Sequence, residues 1–163
     1  MIRQATLKDA SWIAAIWNAV IRDTLITFTT TPKSEAEIAQ MIATRPVLVL
    51  EDAMGFATYG PFRGGPGYGA TVEHSVMLAP HARGDGHGRA LLTALMQVAR
   101  EDGKHVMVAA ISGANPHAVA FHAALGFKQV GQMPQVGRKA GQWLELILMQ
   151  MLLNPPDSVT PAG

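Results

Sequence analysis

The amino-acid sequence predicts an α/β fold, a mixed central β-sheet with helices on both faces. Three observations carry this. Short apolar runs of strand length, such as Val47–Leu50 and His105–Ile111, alternate with longer stretches whose apolar residues recur at three-and-four spacing. The runs at 47–50 and 55–59 are separated by a tight turn and therefore pair antiparallel, whereas later runs are separated by whole helices. At the centre lies the order strand, glycine-rich turn, helix, from Thr71–Leu78 through His81–Leu92 to Arg100.

Taken in order, Met1 to Ala5 reads as a short strand. Thr6-Leu-Lys-Asp9 is close to a capping box before a helix carrying Trp12, Ile13, Ile16, Trp17, Val20 and Ile21 on one side. At that spacing the two tryptophans read first as core. Arg22 to Pro32 is threonine-rich and loses periodicity; it reads as a loop between two helices, placed to wall a pocket. Ser34-Glu-Ala-Glu37 is a cleaner capping box for a second helix, ended by Pro46. The strand 47–50, a turn at Glu51–Met54 and the strand Gly55–Tyr59 follow.

Gly60 to Gly69 is dominated by glycine and proline and reads as a loop over the sheet edge, without regular structure. Asp102-Gly103 stops the helix that follows the glycine-rich turn. After the buried strand 105–111, Asn115-Pro116 gives a helix start, Asn as N-cap and Pro at the first helical position. Phe127–Met133 and Trp143–Leu153 read as two last strands, joined by a basic loop at Gly137–Gly141. The expected organisation is one domain over residues 1–153 and a disordered tail at 154–163, where the apolar pattern ends.

Composition narrows the chemistry. The 163 residues suit one domain with one core. A formal net charge of +1 supplies no basic field for nucleic acid. The absence of cysteine excludes disulfides, thiolate metal sites and cysteine nucleophiles within the chain. The six histidines form no His-x-x-x-His pair with a nearby acid, so no metal site is expected. The start Met-Ile-Arg-Gln-Ala-Thr reads as no signal peptide, and no apolar run has membrane-spanning length; a cytoplasmic protein without membrane or nucleic-acid partners is the expectation.

The central turn carries the strongest signal. Gly84, Gly86 and Gly88 alternate between Arg83 and Arg89, with Asp85 and His87 between them. Glycines let the backbone approach a ligand, and a helix N-terminus with nearby arginines favours an anion, so the segment predicts a phosphate or pyrophosphate cradle. The run does not end in the Gly-Lys-Ser/Thr of a P-loop, and its G-x-G-x-G spacing is not a dinucleotide fingerprint.

Arg83, Gly86 and Gly88 resemble the Gln/Arg-x-x-Gly-x-Gly/Ala pyrophosphate loop of the GNAT superfamily of N-acetyltransferases. Asn115 to Phe127, ending in Leu-Gly-Phe, resembles the superfamily's second signature. Thr71–Val76 and Gln132–Leu144 are similar to the branch of phosphinothricin and methionine sulfoximine/sulfone acetyltransferases. The resemblance implies a GNAT fold with a splayed pair of cofactor-binding strands and acetyl-CoA as cosubstrate. The cofactor's arm would run along Val76, Met77 and Leu78, with Met77 or Leu78 supplying the oxyanion N–H, and Asn115 would bond the arm.

The resemblance also implies a small amine acceptor and a homodimer. Glu73 matches a Glu of the branch and is the candidate general base, since an amine must lose its proton before attack. His122 stands where many members carry a Tyr and is the candidate general acid, a structural or cofactor-contacting role standing beside it. Arg63 matches an Arg of the methionine sulfoximine branch and is the candidate partner of an acceptor carboxylate. His74 is a further acceptor-side candidate, although strand alternation turns it away from Glu73 and favours packing. Gly69-Ala70 stands where the branch carries a second basic residue; Arg138 or Lys139 could supply that charge, and Trp143 and Glu145 could line the pocket. Acetylation of another amine or of a peptide N-terminus, and acyl-CoA binding without turnover, are the alternatives.

Overall fold

The computed structural model describes residues 1–155; of the tail expected at 154–163, residues 156–163 lie outside the described residues. The chain order is β1 (Ile2–Gln4), α1 (Ala10–Asp23), α2 (Glu35–Thr44), β2 (Val47–Leu50), β3 (Gly55–Pro61), β4 (Thr71–Leu78), α3 (His87–Glu101), β5 (Val106–Ser112), α4 (Pro116–Ala124), β6 (Lys128–Lys139) and β7 (Gln142–Leu152). They form one seven-stranded sheet in the order β1-β2-β3-β4-β5-β7-β6. Only β4 and β5 run parallel; every other neighbouring pair is antiparallel. This is the mixed sheet the sequence predicts.

The helices divide between the two faces. On one face Leu91, Leu92, Leu95, Met96 and Ala99 of α3 pack on Leu48, Ala57, Val72, Met107 and Met149. On the other, Ile13 of α1 and Ile38 of α2 pack on Val47, Val49 and Phe56. Alternation along β4 follows from strand geometry: Val72, Val76 and Leu78 join the α3 side, and Met77 joins the α1/α2 side.

The caps are where their residues predict. Ser34 Oγ accepts from Glu37 N at 3.1 Å while Glu37 Oε2 accepts from Ser34 N at 2.7 Å. Asp9 organises the entry to α1: it accepts two bonds from the Arg3 guanidinium, at 2.8 and 2.9 Å, and others from Thr6 N and Trp12 Nε1. These donors hold its carboxyl well below the usual carboxylate range, the Arg3 bonds most strongly. Trp17 packs on Phe56 with ring centroids 5.3 Å apart.

Two boundaries differ from the sequence reading. The strand β6 continues to Lys139, so the basic loop expected at 137–141 shrinks to a turn at Ala140 and Gly141, both at positive φ. Register shifts at Gln129/Gly131 and Met133/Gly137 let β6 absorb Pro134 and still pair with β7. In the glycine- and proline-rich stretch, β3 extends to Pro61, and Pro66–Tyr68 form a single 3₁₀ turn.

Candidate active site

The parallel pair β4/β5 is joined for only part of its length. Thr71, Val72 and Glu73 pair with Val106, Met107 and Val108, and the register ends there. Beyond Glu73 the two strands part, while β4 stays paired to β3 through Leu78 and β5 to β7 through Ser112. The gap is a slot of about 150 Å³. Its β4 edge is formed by His74, Ser75, Val76 and Met77 and its β5 edge by Ala109–Ser112. Asn115, Ala118 and His122 of the α4 segment close one side, and Ile26 and Thr27 of the α1–α2 loop close the other.

At the C-terminal end of β4 lies the glycine-rich turn. Gly84 and Gly86 adopt φ of 96° and 78°, a conformation other residues reach only with strain, and open space surrounds the position of a Cβ at each. Gly86 is the N-cap of α3, so the free N–H groups of the first turn emerge beside the exposed Arg83 and Arg89. Asp85 is exposed on the same turn, and His87 opens the helix. Gly88 brings the start of α3 against Leu78 and Phe121, both 3.6 Å from the place of a Cβ, which ties the cradle to β4 and α4.

Asn115 caps α4 through Oδ1, which accepts from Ala118 N at 3.3 Å, and also lines the slot. His122 is buried on α4 and bonded at both ring nitrogens. Its Nδ1 lies 2.7 Å from the Ala118 carbonyl and its Nε2 3.0 Å from His74 Nε2. A carbonyl can only accept, so His122 carries its proton on Nδ1 and accepts at Nε2 from His74 Nε2–H. The His74 Nδ1 lone pair is then the group left over, buried and without a partner. Burial holds both rings neutral, lowering His74 to about 3 and His122 in the same direction. The role expected of His122 as donor to a leaving thiol therefore meets a ring with no spare N–H.

Glu73 occupies the last paired position before the strands part, and alternation turns it to the face opposite His74. Its carboxyl is exposed at the surface, and the desolvation it does suffer raises its pKa. Its partner on β3 is Gly60, against which the Arg45 guanidinium lies; a Cβ at Gly60 would come within 2.5 Å of Arg45 Nη1. Arg45 and Arg63 line a second cavity of about 640 Å³ with Tyr68, Thr71 and Lys104, and the Arg63 guanidinium sits over the Tyr68 ring at 5.5 Å.

The structure thus gathers His74, Val76, Met77, Asn115 and His122 at the slot and places Arg63 in the larger cavity, which shares no lining residue with the slot; Glu73 lies on β4 between them and lines neither. Lys139 is buried, with Nζ donating to Thr27 O at 2.8 Å, and Arg138 stacks on the exposed Trp143. Glu145 accepts from Gln132. None of these four lines the slot or the larger cavity. Arg45 and Thr27 were not singled out by the sequence: Arg45 reads as a helix-ending residue before Pro46, and Thr27 as one of several threonines in a loop.

A mixed sheet with one parallel pair splaying beside a glycine-rich helix N-terminus defines an acyl-CoA-type acetyltransferase domain. The Acetyltransferase (GNAT) family profile matches residues 13–127, and the chain belongs to that family. It is 43% identical to an L-methionine sulfoximine/L-methionine sulfone acetyltransferase of Pseudomonas aeruginosa, with 96% of each chain covered. Among solved structures it resembles an acetyltransferase of Salmonella typhimurium containing acetyl-CoA (TM-score 0.90, 37% identity, 97% of this chain and 98% of that one). It also resembles a phosphinothricin acetyltransferase of Sinorhizobium meliloti in complex with acetyl-CoA (TM-score 0.88, 35% identity, 99% and 95% covered).

The residues present fit acetyl-CoA. The cradle offers open backbone and two cations to a pyrophosphate, and the slot offers β4 backbone from His74 to Leu78 that β5 does not pair. Among the described residues no group of three or more His, Cys, Asp or Glu could hold a metal, and no helix is long and apolar enough to cross a membrane.

Proposed function

We propose that this protein transfers the acetyl group of acetyl-CoA to the amine of a small amino-acid-like acceptor of the methionine sulfoximine, methionine sulfone or phosphinothricin type. The observation that carries this reading is the position of Glu73, at the point where β4 and β5 part and next to the Arg45-bearing Gly60. An α-amino acid presents an amine to be deprotonated and a carboxylate to be bound. Glu73 meets the first need, and Arg63, with Arg45, the second.

Arg83, Gly84, Asp85, Gly86, His87, Gly88 and Arg89 form the pyrophosphate cradle, and Val76, Met77, Leu78 and Asn115 receive the cofactor's arm. Bound acetyl-CoA supplies an activated thioester. Glu73 accepts the amine proton, directly or through a water. The N–H of Met77 or Leu78 stabilises the developing oxyanion. Glu73 then returns that proton, directly or through a water, to the coenzyme A thiolate that leaves, so that base and acid are one group and the step balances without a second strong acid. In this reading His122 acts mainly by fixing the His74 tautomer and walling the slot.

Residues 1–153 act as one catalytic domain, working in the cytoplasm as a homodimer. Val130, Met133, Val136 and Trp143 expose apolar surface on the β6–β7 hairpin, which supports a homodimer through that ribbon. The test is acetyl-CoA-dependent thiol release with methionine sulfoximine, methionine sulfone, phosphinothricin and a polyamine as separate acceptors. Release with the amino-acid analogues and not the polyamine is expected; release with the polyamine alone overturns the reading.

A further inference from the structure

Among the described residues two buried side-chain polar atoms have no hydrogen-bond partner, Thr27 Oγ1 and His74 Nδ1. Both residues line the slot between β4 and β5. They come to it from opposite sides: His74 packs against His122 of α4, and Thr27 belongs to the loop that follows α1. A buried hydroxyl without a partner opposes folding, so the loop keeps this arrangement only because other contacts hold it.

Those contacts come from the far end of the sheet. Lys139 of β6, itself buried, donates to the Thr27 carbonyl. The Phe28 ring lies on Gly137 so closely that a Cβ there would stand 2.5 Å from Phe28 Cδ2. The backbone carbonyl of Thr27 and the neighbouring Phe28 ring are thereby held, while among the described residues no group takes the buried Thr27 hydroxyl. Thr24, by contrast, spends its hydroxyl locally on the Val20 carbonyl at 2.6 Å.

We propose that Thr27 contacts acetyl-CoA: its hydroxyl donates a hydrogen bond to a carbonyl of the thioester arm lying in the slot, opposite the His74–His122 wall. The arm carries amide and thioester carbonyls, acceptors that a neutral hydroxyl can satisfy. The assignment rests on the slot being the acetyl-CoA site and is independent of which acceptor amine is used. It makes the α1–α2 loop part of the cofactor site as well as a wall toward the acceptor.

The test compares Thr27→Val, which keeps the shape and removes the hydroxyl, with Thr27→Ser, which restores it. Acetyl-CoA binding is measured by calorimetry without an acceptor, and the unliganded melting temperature of each protein is recorded. Because the hydroxyl is unpaired without ligand, T27V is expected to melt at or above the wild-type temperature. Loss of one hydrogen bond is expected to weaken acetyl-CoA binding about 5-fold, with T27S returning close to wild type. Equal affinity of wild type and T27V overturns the assignment, as does equal weakening in T27V and T27S. A wild-type protein that binds acetyl-CoA but acetylates none of the amino-acid analogues overturns the acceptor reading and leaves the Thr27 comparison standing.

Discussion

His74 Nε2 lies 3.0 Å from His122 Nε2, with the two rings stacked at 5.0 Å between centroids. The residues are 48 apart in sequence and join β4 to α4 across one side of the slot. Because Ala118 fixes the proton on His122 Nδ1, the pair has one arrangement when neutral, and Phe127 and Phe121 pack edge-on around His122.

Replacing His122 by Phe leaves His74 Nε2–H buried without an acceptor. An orphaned donor costs roughly 1–3 kcal/mol, and a chain of this size loses about 2–4 °C in melting temperature per kcal/mol. A melting point lower by about 2–12 °C is expected in a thermal unfolding scan. An unchanged value would mean that water or a neighbour replaces the lost acceptor.

The same pair makes stability depend on pH. Burial lowers both folded pKa values below the unfolded one, His74 to about 3. Below the unfolded value, ~6.5, the unfolded chain binds protons that the native rings refuse. Stability contributed by the neutral pair is therefore present above about pH 6.5 and lost progressively as pH falls toward the folded values. Denaturant midpoints taken from pH 7.5 to 5 are expected to fall, and to fall less in H122F, which has one buried ring fewer to protonate.

Glu73→Gln removes the base and keeps the side chain's size. A loss in kcat/KM of about 10²–10⁴-fold is expected, with acetyl-CoA affinity unchanged. Desolvation raises the Glu73 pKa, and the base works only when ionised. Wild-type kcat/KM is expected to decline on the acid side through a pKa above the ordinary glutamate range. A full rate in the Gln variant would move the proton transfer to another group.

Gly86→Val places a β-branched residue at φ 78° on the N-cap of α3. The left-handed conformation costs an L-residue about 1–2 kcal/mol, and relaxing it turns the first N–H groups of the helix. Weaker acetyl-CoA binding in calorimetry is the expected result, larger than any change in KM for the acceptor. Acetyl-CoA binding at the wild-type level would show that the cradle does not depend on this conformation.

Asp9→Asn leaves the Arg3 guanidinium facing a neutral amide and removes an acceptor from Thr6 N or Trp12 Nε1. Asp9 lies far from the slot, so the expected effect is a lower melting temperature with unchanged KM values. Its folded pKa is depressed, so the stability it contributes is present above the unfolded value, ~3.9, and lost as pH falls below it. The difference in melting temperature between wild type and D9N is expected to narrow as pH falls below about 3.9 and to close only below the depressed folded value.

Much of this was legible in sequence because it is local. The glycine-rich turn before α3, the Ser34–Glu37 box and the Asn115-Pro116 start each depend on residues within one turn of chain, and each forms where its residues predict. Strand order was not legible: β7 lies between β5 and β6, pairing with β5 along seven residues and placing Met149 in the core with α3, an arrangement no local turn signal specifies. The His74–His122 bond and the Lys139–Thr27 bond span 48 and 112 residues, beyond any periodicity. Exposure of Trp143 was equally hidden, since its neighbours Leu144 and Leu146 read as a buried strand while Trp143 takes the Arg138 guanidinium on the open side.

The position of β7 also sets the timing of assembly on the ribosome. Every residue of β5 from Val106 to Ser112 pairs with a strand made some forty residues later, from Leu146 to Leu152. Until that strand emerges, a nascent chain holds β5 with its outer edge open, and Gly137 and Lys139 have no hairpin on which to present a seat for Phe28 and Thr27. The substrate slot is therefore among the last features to mature, and a growing chain must keep an apolar sheet edge from other chains in the interval. The long-range pairing of β5 with β7 thus leaves a strand edge open until the chain is nearly complete, the kind of edge on which nascent chains associate.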